Sequence, residues 1–422
     1  MSHLRIALLL GMTVALGPLA LDTYLPAFPR IAADLGVQHA AVGLTLSAYV
    51  ALLGAAQLVG GPLSDRYGRR RILLAGLTIF ALGSLMVAHA KTLGAMMAWR
   101  MLQGLGGAWC AVSVPAIVRD RARGTEAARL FGLIGLIMFV APAAAPSIGS
   151  LILAAGDWPW IFVLLAVYAA LLGLVLQLAL FRHLPPAART RTPLRTLVTN
   201  YMHVLKSVAA MRFIALQTLA FSVMLVFITH ASFILQDWFG VSNATFSLLF
   251  ALNIAGMACV NLTNRRLLRS WHSTVLLRAA VAVQTAAVLT LLLFAATGAP
   301  LWAVAISLGV TVACMGAIAP NNMANALEFF PTLGGTAAAL LGATQFTVAG
   351  AVSALSTAVS DGTLMPVVLT MAACSLGALA LAVGAPRAME RALRRERAAR
   401  SRSADDAHGP GRETGDREGS IR

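Results

Sequence analysis

The chain has 422 residues, is 59% hydrophobic and only 11% charged, and has a mean hydropathy of +0.80. A soluble domain carries about 25% charged residues, so this composition excludes a wholly soluble protein. The net charge of +16 and pI near 11.2 suit nucleic acid only at first sight; the basic residues gather in particular links between apolar runs, not on a face interleaved with aromatics. The cysteines Cys110, Cys259, Cys314 and Cys374 lie inside apolar runs without C-x-x-C spacing, so neither a disulfide framework nor a metal site is expected.

About 20 apolar residues cross a bilayer. On that measure the hydrophobic runs predict spans at 5–26, 40–61, 72–91, 94–117, 128–153, 158–181, 213–236, 243–264, 275–297, 300–321, 333–358 and 363–385. The first run follows Met1–Arg5 as a signal peptide would, but it is long for one and is read as an uncleaved helix. The fold class expected is therefore all-α integral membrane, with twelve helices.

Charge tests that count. One set of alternate links carries Arg66, Arg69, Arg70 and Arg71, then Arg119, Arg121, Arg123 and Arg129. The same side continues with Arg182, Arg189, Arg191, Arg195, Lys206 and Arg212, then Arg265, Arg266, Arg269 and Arg278. The other set carries only Arg30 and Lys91. The positive-inside rule places the basic links, and with them both termini, on the cytoplasmic side of the membrane. The link from Asn321 to Gly334 breaks the pattern, with Glu328 and no Lys or Arg.

The longest internal link, 182–212, holds Pro185, Pro186 and Pro193. It divides the chain into a six-helix part at 1–181 and another at 213–385, as in transporters with a path between repeats. The tail, 386–422, is rich in Arg, Asp, Glu and Gly, and its composition predicts disorder.

The densest charge lies in Gly60-Gly61-Pro62-Leu63-Ser64-Asp65-Arg66-Tyr67-Gly68-Arg69-Arg70-Arg71, expected to be a tight hairpin between the second and third spans. Charges within the spans are costly and usually functional. Two are expected there, Asp22 and Arg100, with Asp237 at the edge of the seventh span. At 1.5 Å per residue, Asp22 lies roughly 26 Å from the start of the first helix and Arg100 roughly 9 Å in from the opposite face. Those depths let the two side chains meet in one cavity, where Arg100 and desolvation would act on the Asp22 carboxyl in opposite directions. Two bland alternatives stand beside this: an interfacial aspartate near Pro26, and an arginine snorkelling to the surface.

Read as G-x-L-S-D-R-x-G-R-R, the dense stretch resembles the loop signature of the major facilitator superfamily. The runs Asp22-Thr23-Tyr24-Leu25-Pro26-Ala27-Phe28-Pro29, Arg100-Met101-Leu102-Gln103-Gly104 and Ala141-Pro142-Ala143-Ala144-Ala145-Pro146-Ser147-Ile148-Gly149 are similar to its drug:proton antiporters. They look most like the Bcr/CflA subfamily of bicyclomycin and chloramphenicol/florfenicol exporters. The resemblance reaches Phe250–Ile254, Asn321–Ala324 and Phe330–Ala337, and so covers about 5–385.

It implies a twelve-helix major facilitator fold in two six-helix halves. Proton coupling would fall to Asp22 and Arg100. Gating would fall to Gly61, Asp65, Arg66, Gly68, Arg69, Arg70, Arg119, Asp120, Pro142, Pro146 and Gly149, with Asp65 facing the N-terminus of the eleventh helix. Ala141, Ala145 and Ser150 stand where the family often has glycine.

Candidate cavity residues are Tyr24, Gln57, Gln103, Gly104, Met138, Phe227, Asn253 and Gln345; each has interhelical packing as its alternative. His89 and His230, near span ends, are expected at the interface. The absence of a G-x-x-x-x-G-K-[ST] loop argues against ATP drive. The expectation is a monomer, not an enzyme, with no cofactor, exporting a small amphipathic drug against protons across the lipid bilayer. The alternative is proton-linked transport of a polar metabolite such as an amino acid or sugar. A second half without mid-membrane charge favours the drug.

Overall fold

In the computed structural model the structure describes residues 3–122, 124–182, 194–330 and 333–384. Among them every regular element is helical, and twelve helices are long and apolar enough to cross a membrane. One compact unit covers Met1–Ala382. The second, Val383–Arg422, lies almost wholly outside the described residues, and with it the tail expected to be disordered.

The first span is longer than 5–26. Helix α1 (His3–Asp22) passes through a 3-10 turn (Leu25–Ala27) into α2 (Phe28–Leu35). Pro26 and Pro29 occupy the second positions of the turn and of α2, within the first turn, where a missing N–H costs nothing. They restart the helix instead of ending the span.

Spans two to six are α3 (His39–Tyr67), α4 (Arg69–Ala88), α5 (Leu93–Arg121), α6 (Gly124–Ala155) and α7 (Pro159–Val175), the last extended by a π-helical turn at Leu176–Phe181. The 182–212 link is not all loop: α8 (Leu194–Lys206) lies within it, and α9 (Val208–Ser232) has already begun. Pro185, Pro186 and Pro193 lie outside the described residues. Helix α9 ends in a π-helical turn, Phe233–Trp238, and is followed by α10 (Asn243–Leu267) and α11 (Ser273–Thr297). The tenth span comprises α12 (Leu301–Ala313) and α13 (Met315–Leu327), running past the expected end at 321. Helices α14 (Gly334–Ala358) and α15 (Leu364–Val383) complete the set.

The expected hairpin needs correction. Gly60, Gly61 and Pro62 are inside α3, and the whole link to α4 is Gly68, at φ 98°, where only glycine sits without strain. Pro62 has no N–H to offer Leu58 four residues back. The freed Leu58 carbonyl accepts instead from the Tyr201 hydroxyl of α8, at 3.5 Å. Pro320 in α13 is repaired in the same way: the Gly316 carbonyl accepts from Asn261 Nδ2 of α10 at 2.9 Å. Side chains of neighbouring helices thus satisfy backbone groups that water cannot reach in a bilayer.

Helix α3 packs against α5 and α14, α1 against α6, α4 against α5 and α7, and α10 against α6 and α12. The α3–α14 seam is close and polar: Ser47 Oγ donates to Ser353 Oγ at 3.0 Å, and Thr347 Oγ1 to the Ala51 carbonyl at 3.3 Å. The tightest approach is at Gly149, where a Cβ would stand 1.8 Å from the Thr23 carbonyl oxygen.

Because that neighbour is backbone, Gly149→Ala is expected to lower the stability of the detergent-purified protein by about 1–3 kcal/mol. Gly132→Ala, with nothing within 4 Å, serves as the neutral comparison in a thermal-unfolding assay.

Candidate functional site

Among the described residues, Arg100 is the largest side chain that is fully shut off from solvent. It lies two turns into α5, a helix whose start is fixed by the Thr92 hydroxyl accepting from the Ala95 N–H at 3.2 Å. The guanidinium carbon is 4.5 Å from the ring centres of both Tyr24 and Tyr49, and 5.7 Å from that of Phe162. Cation–π attraction in so dry a setting is worth about 2 kcal/mol or more. Nη1 donates to the Ala20 carbonyl at 3.1 Å and to Gln103 Oε1 at 2.5 Å. Gln103 Nε2 donates in turn to Ser84 Oγ at 2.7 Å, and Ser84 to the Phe80 carbonyl at 2.7 Å. Nε and Nη2 have no partner.

Asp22 closes α1 and is 4% exposed, with Oδ1 unpartnered. Among the described residues no ion pair joins it to Arg100, contrary to the meeting that their depths allow. The reason lies in the helix end. The last carbonyls of α1 have no intrahelical donor and carry the negative end of its dipole. Ala20 therefore receives the cation, and the aromatic rings fill the remaining directions. Full burial also disposes of snorkelling. Tyr24 is fixed by a 3.1 Å hydrogen bond between its hydroxyl and that of Thr45.

The basic end of the bundle holds the loop signature. Arg69 sits between Asp65, in direct contact, and Asp120 Oδ2 at 3.0 Å; its Nη1 also donates to Ser64 Oγ at 3.3 Å. This ties the ends of α3, α4 and α5 together. Arg70 donates to Gln177 at 3.0 Å, and Arg66 lies over the Tyr67 ring. Gly61 has open space around its Cα. The side chain at the N-terminus of α14 is Arg119, 3.4 Å from where a Gly335 Cβ would stand, while Asp65 is engaged by Arg69. The phenol of Tyr201 is pushed up in pKa by burial and, secondarily, by the Asp65 charge.

Spans eight to ten make the corresponding junction with amides: Asn321 Nδ2 donates to Asn264 Oδ1 at 2.7 Å, and Ser273 Oγ to Asn325 Oδ1 at 2.8 Å. Asn322 Nδ2 donates to the Phe213 carbonyl at 2.9 Å.

At the opposite end, sequence reasoning missed a network. His39 opens α3; its Nδ1 touches Asp237 and its Nε2 lies 3.2 Å from Ser232 Oγ. The π-helical turn carries Gln236 and Asp237, and Gln236 Nε2 donates to Asn243 Oδ1 at 2.5 Å. Ser247 Oγ donates to the Asn243 carbonyl at 2.9 Å, and the Ser150 hydroxyl, 2.9 Å from Ser247 Oγ, donates to it. Ser150 thus contributes a hydrogen bond to α10 that a glycine could not. Arg30 of α2 caps α6 through the Leu153 and Gly156 carbonyls at 2.9 and 3.0 Å. His230 is packed inside the bundle: it is 1% exposed, with Nε2 3.2 Å from Ser356 Oγ. The one sequence signal available was Asp237 at a span edge; its partner lay on a different helix.

The remaining candidates divide. Gln217 Nε2 donates to Gln345 at 2.9 Å, and Gln57 Oε1 lies 3.1 Å from the Cβ position of Gly342, one turn from Gln345 on α14. These amides gather α3, α9 and α14 around one place. Gly104 packs α5 on α3, with a Cβ position 2.4 Å from the Tyr49 carbonyl. Asn253 faces Gly309 of α12. Phe227 is buried and Met138 half-buried. Pro142 and Pro146 sit within the continuous α6.

Among the described residues, twelve apolar helices with a buried cation, a buried carboxyl unpartnered at Oδ1 and polar junctions at both ends are those of a multi-pass membrane protein of transporter type. The Major Facilitator Superfamily description matches residues 10–354, and the chain belongs to that family. It is 34% identical over 370 residues to an "Uncharacterized MFS-type transporter" of Bacillus subtilis, covering 86% of this chain and 92% of the relative. It is 30% identical to a "Bicyclomycin resistance protein homolog" of Haemophilus influenzae (87% and 92% covered) and 32% identical to a "Chloramphenicol resistance protein" of Pseudomonas aeruginosa (79% of each). Among solved structures, a D-xylose-proton symporter superposes with TM-score 0.71 at 16% identity, covering 90% of this chain and 96% of that one, which shows the shared fold.

Arg100→Lys is expected to lose transport and to lower thermal stability, since an ammonium keeps the charge but not the planar stacking. Tyr49→Phe, whose hydroxyl has no partner, should retain most of that stability, while Tyr49→Leu should not.

For the opposite end, a thermal-stability double-mutant cycle of His39→Ala and Asp237→Asn should give a coupling of about 0.5–3 kcal/mol. Simple additivity would deny the pair any structural weight.

Proposed function

We propose that the protein is a drug:proton antiporter of the Bcr/CflA type in the inner membrane, exporting phenicol- or bicyclomycin-like antibiotics. The basic links and both termini lie in the cytoplasm. The observation that carries the coupling is Asp22: a buried carboxyl, unpartnered at Oδ1, at the end of the helix whose carbonyl holds Arg100. Such a group is costly in ionised form unless it takes a proton or gains a cation. A proton from outside satisfies the first condition. Movement of Arg100 from the Ala20 carbonyl to Asp22 satisfies the second. Exchange between these arrangements links protonation to the packing of α1, α5 and α6.

Drug binding then needs differential affinity for the two arrangements to set direction. The names of the relatives, one concerned with bicyclomycin and one with chloramphenicol, support this substrate class. So does the character of the polar groups near α3, α9 and α14, which are amides, without formal charge, and suit a neutral amphipathic ligand. Asp65, Arg69 and Asp120 serve conformation at the cytoplasmic face rather than binding.

In acidified everted vesicles, addition of a phenicol or bicyclomycin is expected to release protons, followed with a pH-sensitive dye. Asp22→Asn should abolish that release, and the resistance it confers, at unchanged expression. Release with an amino acid or sugar instead of any antibiotic would transfer the protein to metabolite transport.

A further inference from the structure

Helix α8 is the described helix in the link between the sixth and seventh spans, and the roles argued above leave most of its surface unused. It is 13 residues long. At 1.5 Å per residue that is about 20 Å, too short to cross a core of about 30 Å. It packs on α9 and α14, and Tyr201 reaches the Leu58 carbonyl of α3. His203 lies edge-on to Phe330, with ring centres 6.3 Å apart. These contacts hold it at the basic ends of the spanning helices.

Its surface is divided in an informative order. At about 100° per residue, Leu197, Tyr201 and Val204 share the face turned to the protein, and Val204 is fully buried. Next around the helix come Val198, Met202 and Leu205, which are 51%, 51% and 41% exposed. Beyond them stand Arg195 and Lys206, both exposed, and then the polar Thr199, His203, Thr196 and Asn200. The exposed apolar stripe is therefore bordered by the bundle on one side and by cations on the other. A helix wholly in water has no use for such a stripe, and one buried in the bilayer core could not place the cations. A helix lying in the plane of the membrane surface satisfies both.

We propose that α8 is a docking surface for anionic phospholipid. The Val198–Met202–Leu205 stripe seats among the upper acyl chains, and Arg195 and Lys206 bind the phosphates of headgroups in the leaflet at the basic end. Charge complementarity selects the occupant: the cations border the stripe, and no carboxylate side chain lies on α8. The same helix supplies the hydroxyl that repairs the break at Pro62, so the lipid seat and the one-glycine link after α3 share a rigid element. Lipid occupancy thereby holds α8 against the end of α3. This assignment is independent of which solute is carried.

The test places the full chain in nanodiscs of brominated phosphatidylglycerol or brominated phosphatidylcholine. Met202→Trp adds a reporter on the stripe and Thr196→Trp one on the polar face, each read above the seven native tryptophans. Emission from Met202→Trp is expected to be quenched and that from Thr196→Trp not. At limiting lipid, quenching should favour phosphatidylglycerol by about fivefold per basic side chain. Arg195→Gln combined with Lys206→Gln should bring the preference to about one. No quenching at either position would mean that the stripe faces water, a second copy or a protein, and emission from Met202→Trp quenched no more than that from Thr196→Trp would overturn the proposal. So would a preference that survives in the double variant. Hydrogen exchange of 194–206 in the unmutated protein avoids dependence on any variant's folding. It should be slower in phosphatidylglycerol discs than in phosphatidylcholine discs, and identical rates would also overturn the assignment.

Discussion

The Arg100 guanidinium is held by the faces of Tyr24, Tyr49 and Phe162 and by the carbonyl end of α1, with no opposite charge bonded to it. A buried cation without an anion is tolerable only where polarisable faces and oriented carbonyls replace its water on several sides. That demand explains much of the packing in the first spans. Gln103 and Ser84 exist in the site to complete one hydrogen-bonded edge. Gly104 and Gly149 bring α3 against α5 and α6 against the Thr23 backbone closely enough to exclude solvent. Two guanidinium nitrogens, the Tyr49 hydroxyl and Asp22 Oδ1 remain unpartnered within this region. An arrangement with spare donors and a spare acceptor is poised to rearrange, because a different pairing costs few existing bonds.

The two ends of the bundle solve the same problem differently. At the basic end, Arg69 joins Asp65 and Asp120 across the second, third and fourth spans, while Asn264, Asn321, Asn325 and Ser273 join the eighth, ninth and tenth. The first junction depends on charge and so on screening and local potential; the second depends on the geometry of uncharged amides and a hydroxyl. The opposite end is bridged by His39 with Asp237 and by Ser150 with Ser247, which tie α3 and α6 to the α9–α10 connection. The π-helical turn at Phe233–Trp238 contributes directly, since the altered register presents Gln236 and Asp237 together.

At two of the prolines inside helices the missing N–H is answered from another helix. Tyr201 of α8 serves Pro62 of α3, and Asn261 serves Pro320 from α10, which packs on α13. These repairs couple helix bending to neighbours more strongly than apolar packing alone, because a lost hydrogen bond in hydrocarbon has no water to replace it.

Much of the architecture was legible in residue order. Twelve apolar runs, the alternation of arginine between links, and the Gly68, Asp65 and Arg69 spacing all depend on properties repeated along one helix or one link, which sequence displays directly. The cost of charge in a bilayer likewise singled out Asp22, Arg100 and Asp237 before any contact was known. What escaped were relations between helices. The length of a span cannot tell that Pro62 is absorbed inside α3, since the answering hydroxyl lies in α8. Depth along two helices allowed Asp22 to meet Arg100, but rotation about their axes and the open carbonyls at the end of α1 decided that Arg100 turns to Ala20 instead. His39 carried no signal of its own, because a histidine at a span end is ordinary until Asp237 is beside it. Apolarity and charge are sums over a segment, and the sequence determines them. Pairing depends on direction across a gap of a few ångströms, and only the packed helices set that.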